Sequence, residues 1–310
     1  MPFCFATRPI LALFPAPIRS VAVHLLPSFP TFAAMYAARP AQPDRITSLH
    51  NPRIKEVLRL QDKAAERRRQ GLTLVEGYRE LTNARQAGWA VATLLVCEEL
   101  AGEEITRQLL EPSRLVPRPY EYLPVSAAVF AKLAVRERSD GVLAILRTPS
   151  RTLADLALPE NPLIIVLEAV EKPGNLGAIL RTADAAPAHA VLVGDPRTDL
   201  YNPNVIRASL GGIFTVPTVA APMADILAFL REKGIRTFAA ALADEAKSYT
   251  ATSFSGPTAL VLGTEADGLT PATRQACDET VIIPMRGVLD SLNVSVAAAV
   301  LTFEAVRQRG

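Results

Sequence analysis

Short apolar runs recur through the second half of the chain, and stretches with helical periodicity separate them. The run Leu163–Leu167 is apolar throughout, which is typical of a parallel strand buried on both faces. The same pattern predicts further strands at 190–193, 215–219, 236–242, 258–262 and 280–283, and helices at 176–186, 205–210, 223–233, 271–277 and 294–309. This alternation predicts an α/β fold with a doubly wound, mostly parallel sheet.

The preceding part of the chain predicts a small α/β domain over residues 45–148. It begins with an amphipathic helix whose apolar positions run from Ile46 to Leu60. Strands are predicted at 72–75, 91–97 and 141–146, and further helices at 77–87, 103–110 and 125–133. Residues 149–160 are polar and carry Pro149 and Pro159, which predicts a linker to a second domain over 161–310.

Residues 1–44 differ in texture from the rest of the chain. The first 43 residues contain no acidic side chain, carry Arg8, Arg19 and Arg39, and are interrupted by many prolines. An organelle transit peptide is one interpretation of an acid-poor, arginine-containing start. The prolines argue against an amphipathic helix there. We therefore expect a disordered segment, or translated upstream sequence with the true start near Met35.

Composition excludes several classes of protein. The chain has three cysteines and three histidines, none of them in CxxC or similar metal-ligand spacing. We therefore expect no disulfide framework and no metal site, and the cysteine usage favours a reducing compartment such as the cytoplasm. No apolar run reaches about 18 residues without a charge or proline, so we expect no membrane span. The net charge of +2 requires that any basic surface be local.

The cluster Arg67–Arg69 lies at the end of a predicted helix in the first domain. Residues 45–150 carry 17 basic and 13 acidic side chains, a small basic surplus. Such a cluster is either a solvated helix end or a contact for RNA phosphates, and the sequence leaves both interpretations open.

The first of three unusual loops follows the strand at Leu163–Leu167. Asn175 lies where a helix cap is expected, and Arg181 lies in the second turn of an otherwise apolar helix. An arginine among apolar neighbours is rarely buried without a partner. Its partner is either a bound ligand or Asp184, three residues further along the helix.

The second loop, residues 263–269, follows the strand at 258–262. Gly263 and Gly268 allow backbone to approach a ligand closely. The loop also carries Glu265, and it matches neither the GxGxxG fingerprint nor a Walker loop. A plain turn is the alternative interpretation.

The third loop, residues 284–293, lies between the last strand and the closing helix. Pro284 ends strand pairing and Gly287 permits a sharp bend. Ser291 and Asn293 flank Leu292 at the helix start, where side-chain oxygens commonly cap free N–H groups. A loop between a strand's carboxyl end and a helix's amino end is also where open α/β sheets hold ligands.

Together these loops resemble the three motifs of the SpoU/TrmH family of RNA ribose 2′-O-methyltransferases, within the SPOUT class. The resemblance is carried in order by Asn175–Asp184, by Leu262–Leu269, and by Ile283–Met285 with Ser291–Ser295. The segment Asp199–Arg207 is similar to the family's middle segment.

The first half of the chain is also similar to a substrate-binding domain that often precedes this catalytic domain. Glu76 and Gly77 lie at the expected place in that domain. One departure is Pro187, where relatives usually carry glycine, but it follows the first motif without interrupting it.

The resemblance implies a SPOUT α/β-knot, in which the C-terminal end threads into a deep trefoil knot, and a homodimer with the knots packed together. It implies S-adenosyl-L-methionine as cofactor, held largely by backbone groups. The implied cofactor-binding positions are Leu262, Gly263, Ile283, Met285 and Leu292.

The resemblance also implies the catalytic residues. Arg181 takes the family's catalytic position, with Asn175, Glu265, Ser291 and Asn293 orienting the ribose and the arginine. Because a guanidinium stays protonated at neutral pH and is a poor base, we expect Arg181 to clamp an RNA phosphate and stabilise the developing alkoxide.

The expected reaction is methylation of a ribose 2′-hydroxyl, with large-subunit ribosomal RNA favoured as substrate. The alternatives are a transfer RNA 2′-O-methyltransferase and a catalytically inactive RNA-binding protein. A nucleotide-dependent oxidoreductase is disfavoured because the glycine fingerprint and its ribose-binding acid are missing.

Overall fold

The structure, a computed structural model, describes residues 43–110, 120–136 and 138–310. The interpretations of residues 1–44 therefore fall, except for the last two positions, outside the described residues. The described chain builds two β-sheets, of four and seven strands, with helices packed against them. Both sheets contribute side chains to one hydrophobic cluster, so the two halves of the chain share a core.

The first half of the chain forms the four-stranded sheet. Its strands are β1 (Leu72–Glu76), β2 (Val91–Val96), β3 (Glu121–Pro124) and β4 (Val142–Arg147). Its helices are α1 (Pro52–Asp62), α2 (Ala64–Gln70), α3 (Tyr78–Gln86), α4 (Glu98–Leu110) and α5 (Ala127–Leu133). The strand order is β1-β4-β2-β3, with β4 antiparallel to both of its neighbours. The strand β3 was missing from the sequence prediction, because it is short and follows the proline-containing stretch 116–119.

The second half forms the seven-stranded sheet. Its strands are β5 (Leu163–Glu168), β6 (Ala190–Gly194), β7 (Thr218–Ala221), β8 (Arg236–Ala240), β9 (Lys247–Ser248), β10 (Thr258–Leu262) and β11 (Glu279–Ile282). Its helices are α6 (Pro173–Ala185), α7 (Pro203–Ser209), α8 (Gly212–Thr215), α9 (Met223–Glu232), α10 (Pro271–Ala276) and α11 (Val294–Arg309). The order is β7-β6-β5-β10-β8-β11-β9, and the pairs are parallel. This confirms the predicted α/β class and its mostly parallel sheet.

Several boundaries differ from prediction for local reasons. The strand predicted from Thr215 begins only at Thr218, because residues 212–215 form the short helix α8. Leu210 and Gly211 both have positive φ and turn the chain between α7 and α8. The closing helix spans the predicted residues, 294–309. The stretch 149–160 contains one 3₁₀ turn at Leu153–Asp155.

Two kinds of site are absent from the described residues. Among the helices of residues 43–110, 120–136 and 138–310, none is long and apolar enough to cross a membrane. The same residues contain no group of three or more histidine, cysteine, aspartate or glutamate side chains placed to hold a metal ion.

Candidate active site

The three loops singled out in the sequence meet at the carboxyl edge of the parallel sheet. Strand β10 lies between β5 and β8, and β8 pairs in turn with β11. Because these strands are parallel, their carboxyl ends lie side by side, and so do the loops that follow β5, β10 and β11. Open α/β sheets hold ligands at this edge.

A polar network joins the loops, with Glu265 at its centre. The side-chain amide of Asn293 donates to Glu265 Oε1 at 2.6 Å and to Asn175 Oδ1 at 3.3 Å. The amide of Asn175 also donates to Glu265 Oε1, and Lys172 Nζ forms an ion pair with Oε2. The hydrogen bond from Lys172 lowers the pKa of Glu265, and the bond from Asn175 lowers it further. Three of the predicted catalytic residues are thus in direct contact.

The sequence places these side chains through the ends of two helices. Asn293 caps α11, since its Oδ1 accepts from the backbone N–H of Ser295 at 2.9 Å, as predicted. The predicted cap at Asn175 is wrong: α6 begins earlier, because Pro173 occupies its first position and Lys172 its cap position. Asn175 therefore lies inside the first turn, from which its side chain contacts Glu265.

Ser291 does not act as a cap. Its hydroxyl donates to Asp290 Oδ1 at 3.1 Å, and both residues are exposed on the loop before α11.

A cavity of about 390 Å³ lies beside the network. This volume falls within the roughly 300–1,000 Å³ of small-molecule sites. Its lining includes all five predicted cofactor-binding positions and two predicted catalytic ones: Leu262, Gly263, Ile283, Met285, Leu292, Glu265 and Ser291. The lining mixes apolar side chains with polar groups, so its chemistry suits a flat heterocycle with polar edges.

The second loop is folded back tightly on itself. Thr264 and Gly268 exchange backbone hydrogen bonds of 2.9 and 3.2 Å. A Cβ added at Gly263 would lie 2.0 Å from the carbonyl carbon of Gly268. Only glycine therefore fits at position 263, and its bare backbone faces the cavity.

A buried carboxylate anchors the end of that loop. Glu168, 5% exposed, closes β5 and accepts bonds from the backbone N–H and the hydroxyl of Thr270, both at 2.8 Å. It also accepts from the hydroxyl of Thr273 at 2.5 Å. These bonds fix the 263–270 loop to the neighbouring strand.

The lining also contains residues that the sequence reasoning missed. Ala240, Ala241 and Leu242 form the wall at the end of β8, and Arg274 reaches it from α10. The sequence indicates only a strand at 236–242, because its carboxyl end, residues 240–242, carries no polar side chain. The strand order, with β8 between β10 and β11, is what brings its end to the cavity. Lys172 is likewise not among the predicted site residues, although its ion pair with Glu265 makes it part of the network.

Arg181 stands apart from the network. It is exposed on α6, two turns beyond Asn175, and it is not among the lining residues of the cavity. The alternative partner, Asp184, accepts a hydrogen bond from Thr215 Oγ1 at 2.6 Å. Among the described residues the Arg181 side chain forms no hydrogen bond or ion pair, so its guanidinium is available to a ligand.

Comparisons with known families agree with this geometry. Residues 162–303 match the SpoU rRNA Methylase family, and residues 51–144 match the MRM3-like substrate binding domain.

Individual relatives cover most of the chain or its second half. A 23S rRNA (uridine(2479)-2′-O)-methyltransferase from Streptomyces viridochromogenes is 32% identical over 86% of this chain and 92% of its own length. The 23S rRNA (guanosine-2′-O-)-methyltransferase RlmB of Ralstonia nicotianae is 46% identical over 48% of this chain and 59% of its own.

Solved structures are similar over nearly their whole length. The crystal structure of an RNA 2′-O ribose methyltransferase is 42% identical, with a TM-score of 0.73 over 86% of this chain and 99% of that one. The SpoU methyltransferase AviRb of Streptomyces viridochromogenes, solved with AdoMet, is 30% identical with a TM-score of 0.76, covering 84% of this chain and 98% of its own.

The fold and the cavity with its three-motif network define an RNA methyltransferase that uses S-adenosyl-L-methionine. The Streptomyces relative aligns with this chain over nearly its whole length. The chain belongs to the SpoU rRNA methylase family.

Proposed function

We propose that this enzyme transfers a methyl group from S-adenosyl-L-methionine to a ribose 2′-hydroxyl in large-subunit ribosomal RNA. The observation that carries the proposal is the contact of Asn175, Glu265 and Asn293, one from each motif, beside the cavity. Relatives named as 23S rRNA 2′-O-methyltransferases support the choice of RNA.

The cavity fits the methyl donor. Ile283 and Leu292 supply apolar surface for an adenine ring, while Leu262, Gly263 and Met285 supply backbone groups for its polar edge. When bound, S-adenosyl-L-methionine supplies a methyl group that its sulfonium charge has already activated. The chain's own residues then have to align the ribose oxygen and favour loss of its proton.

Arg181 has the chemistry to hold the RNA. Its guanidinium is exposed and makes no hydrogen bond or ion pair in the described part of the chain. Such a group binds phosphate through two parallel hydrogen bonds and stabilises negative charge as it develops on an alkoxide. A guanidinium is a poor base, because it stays protonated at neutral pH.

Glu265, Asn175, Asn293 and Ser291 orient the ribose in this proposal. Lys172 keeps Glu265 ionised, so the carboxylate acts as a hydrogen-bond acceptor near the cavity. The amides of Asn175 and Asn293 each present a donor and an acceptor, which suits the neighbouring hydroxyls of a sugar.

The division of labour along the chain is part of the proposal. Residues 1–44 are an extension, and residues 45–148 bind the RNA substrate. Residues 149–160 link this domain to residues 161–310, which carry the methyltransferase site. We also propose the trefoil knot. Its support is the path of the chain: after β11 the 283–293 loop turns back, and α11 packs against α6, β10 and β5.

A homodimer is proposed on the surface of α11. Over residues 294–303 this helix carries only Ser295 and Thr302 as polar side chains, and Val296 and Phe303 remain 47% and 48% exposed. Leu289 of the third loop is 74% exposed close by in sequence. A helix that is apolar all round is normally buried, and a second copy of this chain is the proposed cover.

The cytoplasm is the proposed location. Cys97 and Cys277 are both free thiols, as expected in a reducing compartment.

Two alternatives share parts of this site. A transfer RNA methyltransferase would use the same network, and an inactive RNA-binding protein would keep the first half of the chain. Asn175, Arg181 and Asn293 argue against loss of catalysis, because capping of α11 accounts for Asn293 alone and leaves the other two without a structural role.

The test combines the purified enzyme with labelled S-adenosyl-L-methionine and unmodified RNA transcripts. We expect label in large-subunit ribosomal RNA, and mapping of ribose methylation in a deletion strain should show one missing site. Label in transfer RNA alone would replace the substrate, and failure to bind the methyl donor in a titration would overturn the catalytic assignment.

A further inference from the structure

Arg67 is neither a solvated helix end nor an RNA contact. It is 3% exposed, and its Nε donates to Asp199 Oδ2 at 2.7 Å. Its Nη1 donates to the backbone carbonyls of Leu60 and Gln61 at 2.6 and 2.9 Å. The ion pair therefore joins the first half of the chain to the family's middle segment, for which the proposed reaction provides no role.

Residues 199–216, which begin with that segment, are here named the bracket. Further contacts join the outer side of the bracket to the first half of the chain. Thr73 Oγ1 donates to the carbonyl of Tyr201 at 2.6 Å. The ring of Trp89 packs edge-on against Tyr201 and Phe214, with centroids 5.5 and 5.0 Å apart.

The inner side of the bracket packs against α6 without spare room. A Cβ added at Gly177 would lie 2.4 Å from Cβ of Ala208. A Cβ added at Gly212 would lie 2.8 Å from the carbonyl oxygen of Leu180 and 3.4 Å from the backbone nitrogen of Arg181. The bracket thus touches α6 at the residue whose side chain carries the proposed catalysis.

We propose that Arg67 and Asp199 are positioning residues that set the place of Arg181 through the bracket. Since the Arg181 side chain makes no hydrogen bond or ion pair in the described part of the chain, the position from which it extends is set by the α6 backbone. The bracket contacts that backbone, and the ion pair fixes the bracket. The proposal rests on the role of Arg181 in the proposed function.

This arrangement also gives the first half of the chain a part in choosing the nucleotide. If RNA binds to residues 45–148, the bracket holds a constant distance between that binding surface and Arg181. A substrate is then methylated only at the ribose that this distance reaches. The coupling needs a stiff connection, and a buried ion pair with further hydrogen bonds to both partners provides one.

The test measures single-turnover methylation of an unmodified large-subunit rRNA transcript, at saturating RNA and methyl donor, with donor affinity measured separately. Arg67→Met and Asp199→Asn should each lower the rate per folded enzyme about 10–100-fold, since small misplacements remote from the chemistry have effects of this size. Donor affinity should stay unchanged. The double variant should lose no more rate than the less active of the two single variants, because both changes remove the same contact.

Arg231→Met is the activity control, because Arg231 is an exposed arginine on α9, outside residues 45–148, and it should keep the full rate. Thr73→Val keeps the shape of its side chain and removes only the bond to Tyr201, so it serves where the Arg67 variant does not fold. We expect a smaller loss of rate for Thr73→Val, again with unchanged donor affinity.

Wild-type rates in folded Arg67 and Asp199 variants would overturn the inference, and so would a parallel loss of donor affinity, which marks general loosening of the fold. Arg181→Ala separates this outcome from failure of the proposed function. If that variant still methylates RNA, the function assigned to Arg181 is wrong. If it is inactive while Arg67→Met is fully active, only the inference fails.

Discussion

Glu265 and Asp199 are both carboxylates paired with a cation, but their surroundings are opposite. The Glu265 and Lys172 side chains are 24% and 69% exposed, whereas those of Asp199 and Arg67 are 7% and 3% exposed. Water competes with the first pair and screens it, so it contributes little to stability and its members can exchange partners when a ligand arrives. The second pair is removed from water, so losing one partner leaves a buried charge. The pair at the sheet edge can therefore rearrange when a ligand binds, whereas the pair between the two halves of the chain is fixed.

The largest effect that tests this difference between the two pairs is expected in the stability of Arg67→Met. Asp199 would stay buried without its cation, so we expect a loss of about 3–5 kcal/mol in the free energy of unfolding. Urea denaturation measures it, and Arg68→Met should stay within about 0.5 kcal/mol of wild type. Equal stabilities of the two variants would show that the Arg67–Asp199 pair is not effectively buried.

Arg181→Ala should affect methyl transfer and leave stability almost unchanged. With no partner to lose in the described structure, stability should hardly change, while methyl transfer should fall about 10²–10³-fold as a stabilising donor is removed. Isothermal titration should find the affinity for S-adenosyl-L-methionine unaltered. Arg231→Ala, an exposed cation on α9, is the control and should be fully active. Near-normal turnover of Arg181→Ala would refute its role.

Gly263→Ala tests the cavity wall. Its Cβ would collide with Gly268, and overpacking of this kind costs about 1–3 kcal/mol. We expect the loop to shift and the dissociation constant for the methyl donor to rise about tenfold or more. Gly256→Ala has open space around the new methyl group and should bind normally. Normal binding by both variants would place the donor elsewhere.

Asn293 has two roles that two substitutions separate. Asn293→Asp keeps an oxygen to cap α11 but replaces the amide donor by a second carboxylate beside Glu265, so stability should be kept and turnover lost. Asn293→Ala also loses the cap, which lowers stability by about 1 kcal/mol. Thermal melts with turnover assays distinguish them, and a fully active Asn293→Asp would remove the amide from the site.

The smallest effect is expected from Lys172→Met. Lys172 lowers the pKa of Glu265, so the network stabilised by the ionised carboxylate is present above the ordinary carboxyl pKa and is lost as pH falls through the lowered value. Removing the lysine should raise the Glu265 pKa, and activity should begin to fall at a higher pH. The acid limb of the pH–rate profile measures this shift, and Lys172→Arg should restore it. An unmoved acid limb would show that Glu265 does not govern it.

Much of the fold could be predicted because apolar periodicity is local. Strand β5 and helix α11 were located closely from their own residues. The limits of the approach show at α8 and β7, where the turn at Leu210 and Gly211 depends on contacts with α3 and α6. Likewise the short strand β3 gains its place through pairing with β2.

The candidate site shows the same division. Asn175, Glu265 and Asn293 could be proposed because motif order is written along the chain, and the structure brings them together. Lys172 and the end of β8 could not, because their part in the site depends on strand order. Arg67 was misinterpreted for a similar reason: its partner lies 132 residues away, and an arginine cluster in isolation resembles any solvated helix end.

The single tryptophan of the sequence lies at the contact between the bracket and the first half of the chain. An indole packed edge-on against two rings and 9% exposed has an emission spectrum set by that contact. Separation of the two halves would admit water to the ring and shift its fluorescence to longer wavelength. The protein therefore carries a native optical reporter of this contact, and its integrity in each variant can be followed without any added dye.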